Sequence, residues 1–521
     1  MNKPSFGKSI SGGLQLNNGI KMQGRMIKRP QGLFEEKSTD SIKVYPASEP
    51  SNELKSNVVR QMDPRTKPVI SMQSQEDLEV KEKAATTKAP NDYSLAETLI
   101  NSHTIAIIEN QVYLGNQLQG YFVGLAGNEA DTLIRKCIPE KLKKYVSSKN
   151  IKEILNWFKT FDQLKVPDSK IRNRNFYVNF LNSVVDARDL SVHRKSLDYY
   201  FTSVINSNYP IDYHPTGTHF EKTMKIITGG NQSIYNLIQE VFGYILSEIR
   251  NLKHIIFFLG PKNCGKSLLI NLLMELIGRE FTSNLSLHDF NSQFRLSRLY
   301  RKKLNCYGET SEDTLSRLDI LKAASGGDHL TGEFKYENCF EFINRAALLF
   351  AGNHLPKLKV IDQNNAFAER LLIIPFLNPI EKKDQDVHLL QKLNAEKPYI
   401  CGWAINGLNR LIHNNYQFTK CEIVDEIQIA YSKSNNTLQM FVSDCCDLDP
   451  YLRSHTYELE EAYHDYCISI GEVPFEEKAF HNSLKSIPGI SDGRFRIEGD
   501  NRNGYYGIAL KEFNTEETCH E

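Results

Sequence analysis

The stretch from His254 to Gly278 constrains the fold more than any other part of the chain. An apolar run, Ile255-Ile256-Phe257-Phe258-Leu259, enters Gly260-Pro261-Lys262-Asn263-Cys264-Gly265-Lys266-Ser267, which enters the apolar stretch beginning Leu268-Leu269-Ile270. Strand, GxxxxGKS turn and helix in that order are the context a phosphate-binding P-loop requires. Gly260 and Gly265 let the backbone bend so that several N–H groups point into one concavity. The following helix adds its uncommitted N-terminal amides and the positive end of its dipole. Lys266 is expected to reach the β- and γ-phosphates of a nucleoside triphosphate, and the Ser267 hydroxyl to ligate Mg2+. The plainer alternative is a glycine-rich turn joining a strand to a helix.

A chain of 521 residues has length for three or four domains. Lys and Arg together number 63, as do Asp and Glu, so any surface for a polyanion must be local. The ten cysteines include no CxxC pair, which argues against a zinc ribbon or knuckle. Cys264 lies inside the phosphate loop and Cys306 on an expected buried strand, a usage that suits a reducing compartment. No apolar run approaches a membrane span and the N-terminus has no signal-like core, so a soluble cytoplasmic protein without a membrane partner is expected.

Residues 1–90 are rich in Ser, Gln, Asn, Lys and Pro and read as a disordered arm. They carry 15 Lys and Arg against 10 Asp and Glu, so the arm is either a solvated linker or one that brushes DNA. Residues 91–215 read as a small α+β domain, with helical spacing over Glu129–Val146 and Ile151–Phe161, Trp157 buried, and strand character in Phe176–Ala187. The aromatic residues Tyr199, Tyr200, Phe201 and Tyr209 fill its core or offer a surface for bases. From 216 to 425 helical segments alternate with strand candidates at Lys303–Gly308, Arg345–Gly352 and Leu371–Phe376, which implies a mostly parallel sheet. Over 430–515, helical Glu458–Cys467 and Phe475–Leu484 precede strands Arg494–Ile497 and Gly504–Leu510 around a turn at Gly499-Asp500-Asn501. That order suggests a winged helix. Lys478, Lys485 and Arg496 give it basic character for DNA, although such modules also serve protein contacts.

Three features follow the P-loop in order. Leu304-Asn305-Cys306-Tyr307-Gly308-Glu309 is a strand ending in a carboxylate, and Glu309 is the candidate to polarise a lytic water and help hold the ion's water shell. The alternative is a surface Glu opening a helix. Ala346–Asn353 is an apolar strand ending in an amide, which places Asn353 to sense a γ-phosphate or to serve as an ordinary turn residue. Arg370 stands just before the strand Leu371–Phe376 and reads as an arginine finger for a neighbouring subunit, or as a surface Arg. Between the acid and Asn353, a helix ends at Gly326-Gly327 and a hairpin follows. It either projects Lys335 and Tyr336 toward single-stranded DNA or is simply solvated.

This order resembles the superfamily-3 helicases, within them the phage and plasmid primase-helicases that include the poxvirus primase-like group. The resemblance is carried by Gly260–Ser267, Tyr307-Gly308-Glu309-Thr310, Leu321-Lys322 with Gly326-Gly327-Asp328, Phe350–Pro356, Glu369-Arg370-Leu371 with Ile374-Pro375-Phe376, and Gly402–Leu408. Asn179–Asp186 is similar to a stretch of the family's preceding domain, and Phe441, Cys445-Cys446, Tyr463, Phe480 and Gly504–Ile508 to its C-terminal winged helix. It covers roughly 93–512. It implies a multidomain α/β chain: an AAA+-type P-loop ATPase core with a parallel sheet, preceded by the small α+β domain and followed by the winged helix. It further implies ATP with Mg2+ between subunits of a homohexameric ring that moves on single-stranded DNA at a forked duplex. The sequence departs from the family at Cys264, where Asn is usual, at Ser183, where Gly is common, and at Gly308. No primase module with paired acids is recognisable in residues 1–90, so a separate primase is expected as partner. A second reading of the same parts is an ATP-switched origin-binding initiator or loader without processive unwinding.

Overall fold

The computed structural model describes residues 91–211, 217–309, 314–315, 317–335, 338–358, 365–435, 437–497 and 499–511. The expected arm 1–90, Thr310 and Tyr336 lie outside the described residues.

At the centre is a five-stranded sheet of β1 (Ile255–Leu259), β2 (Thr282–Ser283), β3 (Leu304–Tyr307), β4 (Ala347–Gly352) and β5 (Leu371–Pro375), in the order β5-β1-β4-β3-β2. Every neighbouring pair is parallel. A parallel sheet needs cover on both faces, which is why its inner strands are unbroken apolar runs rather than alternating ones. Ile256 and Phe258 join Leu349, Ala351, Leu372 and Ile374 in one core, under the helices Gln232–Leu246, Lys266–Ile277 and Lys397–His413. Ile255, Phe257 and Leu259 join Leu348, Phe350, Leu371 and Ile373 in the other, under Asp319–Gly326 and Glu422–Ser434. Two of the covering helices pack backbone to backbone. A Cβ on Gly243 would lie 2.4 Å from the Ala404 carbonyl oxygen, and one on Gly407 2.5 Å from that of Gln239.

The one polar residue inside β3 has a structural task. Asn305 is fully buried and accepts hydrogen bonds from Ser283 Oγ (2.9 Å) and the Leu285 amide (2.8 Å) while donating to the Leu285 carbonyl (3.1 Å). It clips the two-residue edge strand β2 to the sheet.

Ahead of the sheet, helix Asp92–Ser102 packs with the antiparallel strands Ile105–Ile108, Gln111–Asn116 and Tyr121–Gly124 and the helices Gly127–Cys137 and Ser148–Phe158 around Leu99, Ile107, Val112, Ile134, Ile154 and Phe158. Trp157, expected inside, is instead 40% exposed. The helix turns Ile151, Ile154 and Phe158 inward, which leaves Trp157 on its outer side, edge-on to Tyr93 at 5.2 Å. Strands Tyr177–Asn179 and Val184–Asp186 form an antiparallel pair whose Val178 and Val185 join the first sheet core. Tyr199, Tyr200 and Tyr209 pack against Phe201, Phe122 and Phe180 at centroid distances of 5.6, 5.7 and 5.3 Å, so their rings meet protein.

Beyond the sheet, helices Thr437–Cys445, Thr456–Ser469 and Glu477–Ser486 enclose Phe441, Leu459, Tyr463, Phe480 and Leu484 with Tyr505. An antiparallel sheet of Arg453–His455, Asp500–Tyr506 and Ser491–Ile497, in that order, lies beside them. The hairpin is longer and tighter than expected. Ile497 pairs with Asp500, so Asp500 and Asn501 are strand residues, and Gly507 (φ +90) then breaks the chain away so that Ala509–Leu510 pairs with Cys446–Asp447. No helix among the described residues is long and apolar enough to cross a membrane.

A buried ionic cluster ties the N-terminal part to the sheet. Glu248 accepts from Lys303 Nζ at 2.6 Å and lies 4.0 Å from Arg174 Nη2. Burial works against its charged form, yet Lys303, Arg174 and Arg250 hold its carboxyl down to about 2. Because that pKa lies below the usual carboxylate value, the stability it contributes is complete above about pH 4.5 and is lost as pH falls toward about 2. Glu248→Gln is expected to cost about 3–5 kcal/mol in urea unfolding at neutral pH, by leaving buried cations uncompensated. A loss under about 1 kcal/mol would show that the cluster is not structural.

Candidate functional site

The glycine-rich loop 260–265 connects the carboxyl end of β1 to the helix Lys266–Ile277. Its shape follows from a few contacts. Gly265 takes φ +91, a region side chains avoid, and a Cβ there would meet Ile227 at 2.8 Å. Gly260 is squeezed against β5's continuation: a Cβ would lie 2.1 Å from the Phe376 carbonyl oxygen. The Ile380 amide donates to the Asn263 carbonyl at 2.8 Å, so the segment after β5 braces the loop from outside. The helix start carries no side-chain cap, which leaves its first amides open for an anion. Pro261 is half-buried, Lys262, Asn263 and Ser267 are exposed, and Cys264 points into the core at 1% exposure. Cys264 therefore occupies the inner side of the loop, where burial pushes its thiol pKa up and keeps it neutral.

Lys266 is 8% exposed. Its Nζ donates to the carbonyls of Gly260 (2.6 Å) and Pro261 (2.7 Å) and reaches Asn353 Oδ1 at 3.4 Å. Burial lowers its pKa, while Glu309 favours its charge electrostatically. Register explains the company. β1 and β4 pair so that Leu259 faces Gly352, and the Gly260 amide donates to the Gly352 carbonyl at 3.2 Å. Asn353 follows directly. Tyr307 of β3 pairs with Phe350, so exposed Glu309 leaves the same edge two residues later. Lys266, Asn353 and Glu309 are thus brought to one edge of the sheet.

Arg370 is not. It precedes Leu371, which pairs with Ile255, the first residue of β1, at the opposite edge. Five strand residues at about 3.3 Å each separate it by roughly 16 Å from Gly260. It is half-buried, and its Nη1 donates to the Ala366 carbonyl at 2.6 Å. The hairpin strands His329–Gly332 and Phe340–Ile343 pair antiparallel with Lys335 exposed between them. Their base is an aromatic cluster in which Phe340 stacks on Phe334 at 4.8 Å and meets Tyr300 at 5.0 Å. Lys478 and Arg496 are exposed, whereas Lys485 is paired with Asp492 at 2.7 Å. The brace at Ile380 and the clip at Asn305 carry no motif that marks them in the sequence.

The donor set fits a magnesium–triphosphate group: open helix amides, a lysine whose ammonium now rests on carbonyl oxygens, an exposed hydroxyl at Ser267 and a carboxylate at Glu309.

Two family profiles match separate parts of the chain. Residues 79–229 match a family profile described as "D5 N terminal like", and residues 258–370 match a family of unknown function, DUF5906. The first match supports a relation to primase-helicase-type proteins. No curated protein matches the sequence. Among solved structures, an apo form of the NrS-1 C-terminal region is 13% identical and covers 81% of this chain and 100% of its own, with a TM-score of 0.42. A second apo structure of that region is 14% identical with the same coverage and a TM-score of 0.41. Likeness at that level supports no residue-by-residue correspondence.

Gly260→Ala is expected to lower stability by about 1–3 kcal/mol in chemical denaturation, since its new methyl meets backbone rather than a movable side chain. Wild-type stability would show that the loop yields freely.

Proposed function

We propose that the chain is an ATP-dependent DNA helicase of the superfamily-3 type, with an AAA+-type core, acting as a hexameric ring on single-stranded DNA in the replication of a phage, plasmid or other mobile element. The observation that carries this reading is the division of the sheet: Lys266, Asn353 and Glu309 at the carboxyl edge, Arg370 at the amino edge. The strand order, with β4 between the P-loop strand and the acid-bearing strand, supports the AAA+ assignment.

In this reading Lys266 exchanges its carbonyl partners for β- and γ-phosphate oxygens. Asn353, already within reach of the lysine, registers whether the γ-phosphate is present. A carboxylate oxygen of Glu309 takes the proton of the attacking water. Magnesium, held by Ser267 and through water by Glu309, would offset charge on the phosphates. Arg370 cannot serve its own protomer's site from the far edge, so it completes the site of an adjacent copy. Lys335, with Tyr336, grips single-stranded DNA from the hairpin. The C-terminal helices and hairpin act as a winged helix, with Lys478 and Arg496 toward forked DNA and Lys485 joining them on release from Asp492. Priming is supplied by a separate protein.

Lys266→Ala is expected to abolish ATP hydrolysis, and Arg370→Ala to reduce it by about 10³-fold or more while nucleotide binding persists. Mixing the two inactive proteins restores part of the activity if cradle and finger come from different copies; no restoration in mixed rings overturns the trans arrangement. Strand displacement on a forked substrate tests the helicase directly. Hydrolysis without displacement of a long duplex selects the origin-binding initiator instead.

A further inference from the structure

A cavity of about 320 Å³ lies away from the P-loop, where residues 108–113 and Arg174 of the N-terminal part meet residues 300–303 before β3 and the base of the 329–343 hairpin. Three arginines reach it from separate segments: Arg174, Arg301 and Arg345. Each carries buried N–H groups with no acceptor among the protein's own atoms: Nε of Arg174, Nε and Nη2 of Arg301, and Nε of Arg345. The Tyr300 hydroxyl, on the same wall, is buried beside the Arg301 guanidinium with no well-aligned hydrogen bond.

These donors are fixed. Arg174 is 4% exposed, with Nη1 committed to the Tyr200 carbonyl and Nη2 near Glu248. The Arg301 guanidinium lies over the rings of Tyr113 and Tyr300 at 5.0 and 4.6 Å. It fills the notch above Gly124, where a Cβ would be 2.1 Å from the guanidinium carbon. Four carboxylates line the wall: Glu248 is engaged by Lys303 at 2.6 Å, Glu109 by Nη2 of Arg345, Asp168 lies 4.0 Å from Arg172 Nη2, and Glu341 is exposed to solvent. A buried guanidinium N–H without an acceptor is costly, and three guanidinium groups on the wall of one polar cavity suit an oxygen-rich anion. Arg301 covers a face of each tyrosine, which disfavours a stacked base. Guanidinium forks suit a tetrahedral oxyanion.

We propose that this cavity is a second phosphate-binding site, separate from the P-loop, that takes a small phosphate-bearing anion: inorganic phosphate or pyrophosphate, or the phosphate of a free mononucleotide. Its occupant bridges the N-terminal part, the sheet and the hairpin base.

The test is calorimetric titration of the full chain carrying Lys266→Ala with phosphate, pyrophosphate and AMP, at constant ionic strength against sodium chloride. Saturable binding that survives Lys266→Ala and is weakened at least about tenfold by Arg301→Gln or Arg345→Gln supports the site. Tyr300→Phe removes one donor without removing charge and is expected to weaken binding about three- to tenfold. It keeps the test decisive should an arginine variant fail to fold. AMP binding as tightly as phosphate identifies the nucleotide source; phosphate bound with AMP excluded identifies the inorganic one. No saturable binding by about 10 mM, or binding unchanged in Tyr300→Phe and in every folded arginine variant, overturns the proposal.

Discussion

The parallel pairing of β1 between β4 and β5 is the constraint from which the remaining geometry descends. Parallel strands send all their carboxyl ends one way, so whatever follows them converges without further design. Leu259 facing Gly352 sets Asn353 beside the P-loop, and Phe350 facing Tyr307 brings Glu309 to the same rim. A slip of one residue would turn Phe257 and Phe258 to each other's faces and empty both cores at once. The amino ends form an opposite rim, and it is cationic: Lys303, Arg345 and Arg370 each stand within two residues of a strand start. Lys266, Asn353 and Glu309 gather at one rim and these three basic residues at the other, about a strand's length away.

Inheritance from sequence to structure is uneven, and the reasons are physical. β1, β3, β4 and β5 are legible because a strand buried on both faces must be apolar along its length. β2 is not, since Thr282–Ser283 is two polar residues held by Asn305, a long-range side-chain clip with no periodicity. The strand, glycine-rich turn and helix around Gly260–Ser267 are legible from the motif, but the meeting of Lys266, Asn353 and Glu309 at one rim is a matter of register, which local patterns do not encode. Trp157 shows the limit of reading hydrophobicity as burial: one step around a helix from Phe158 places it outside. The hairpin turn at Gly499 and the strand core Arg494–Ile497 are legible, whereas the strand ends are not, because turn residues mark where a chain reverses and cross-strand pairing decides how far it runs.

The cluster around Glu248 and the neighbouring arginines was invisible at the level of sequence. Arg174, Glu248, Lys303 and Arg345 are distant in the chain and share no spacing. A basic residue within two positions of the start of a buried strand has its charge at the mouth of a low-dielectric layer, and Lys303, Arg345 and Arg370 all stand so in this core. They mark a rim where counter-charges must gather.

Burial also sorts the thiols. The nine cysteines among the described residues are all free, and only Cys339, next to the hairpin strand Phe340–Ile343, is exposed. Cys306, Cys401 and Cys446 are buried deeply enough to push their pKa up to about 12, and Cys264 is sealed beneath the phosphate loop. Thiolate is the reactive form, so alkylating reagents at neutral pH favour one described position over the rest. The chain thereby carries a ready-made attachment point for a fluorophore or spin label on the hairpin itself, with the sulfur of Cys264 protected from the same reagent.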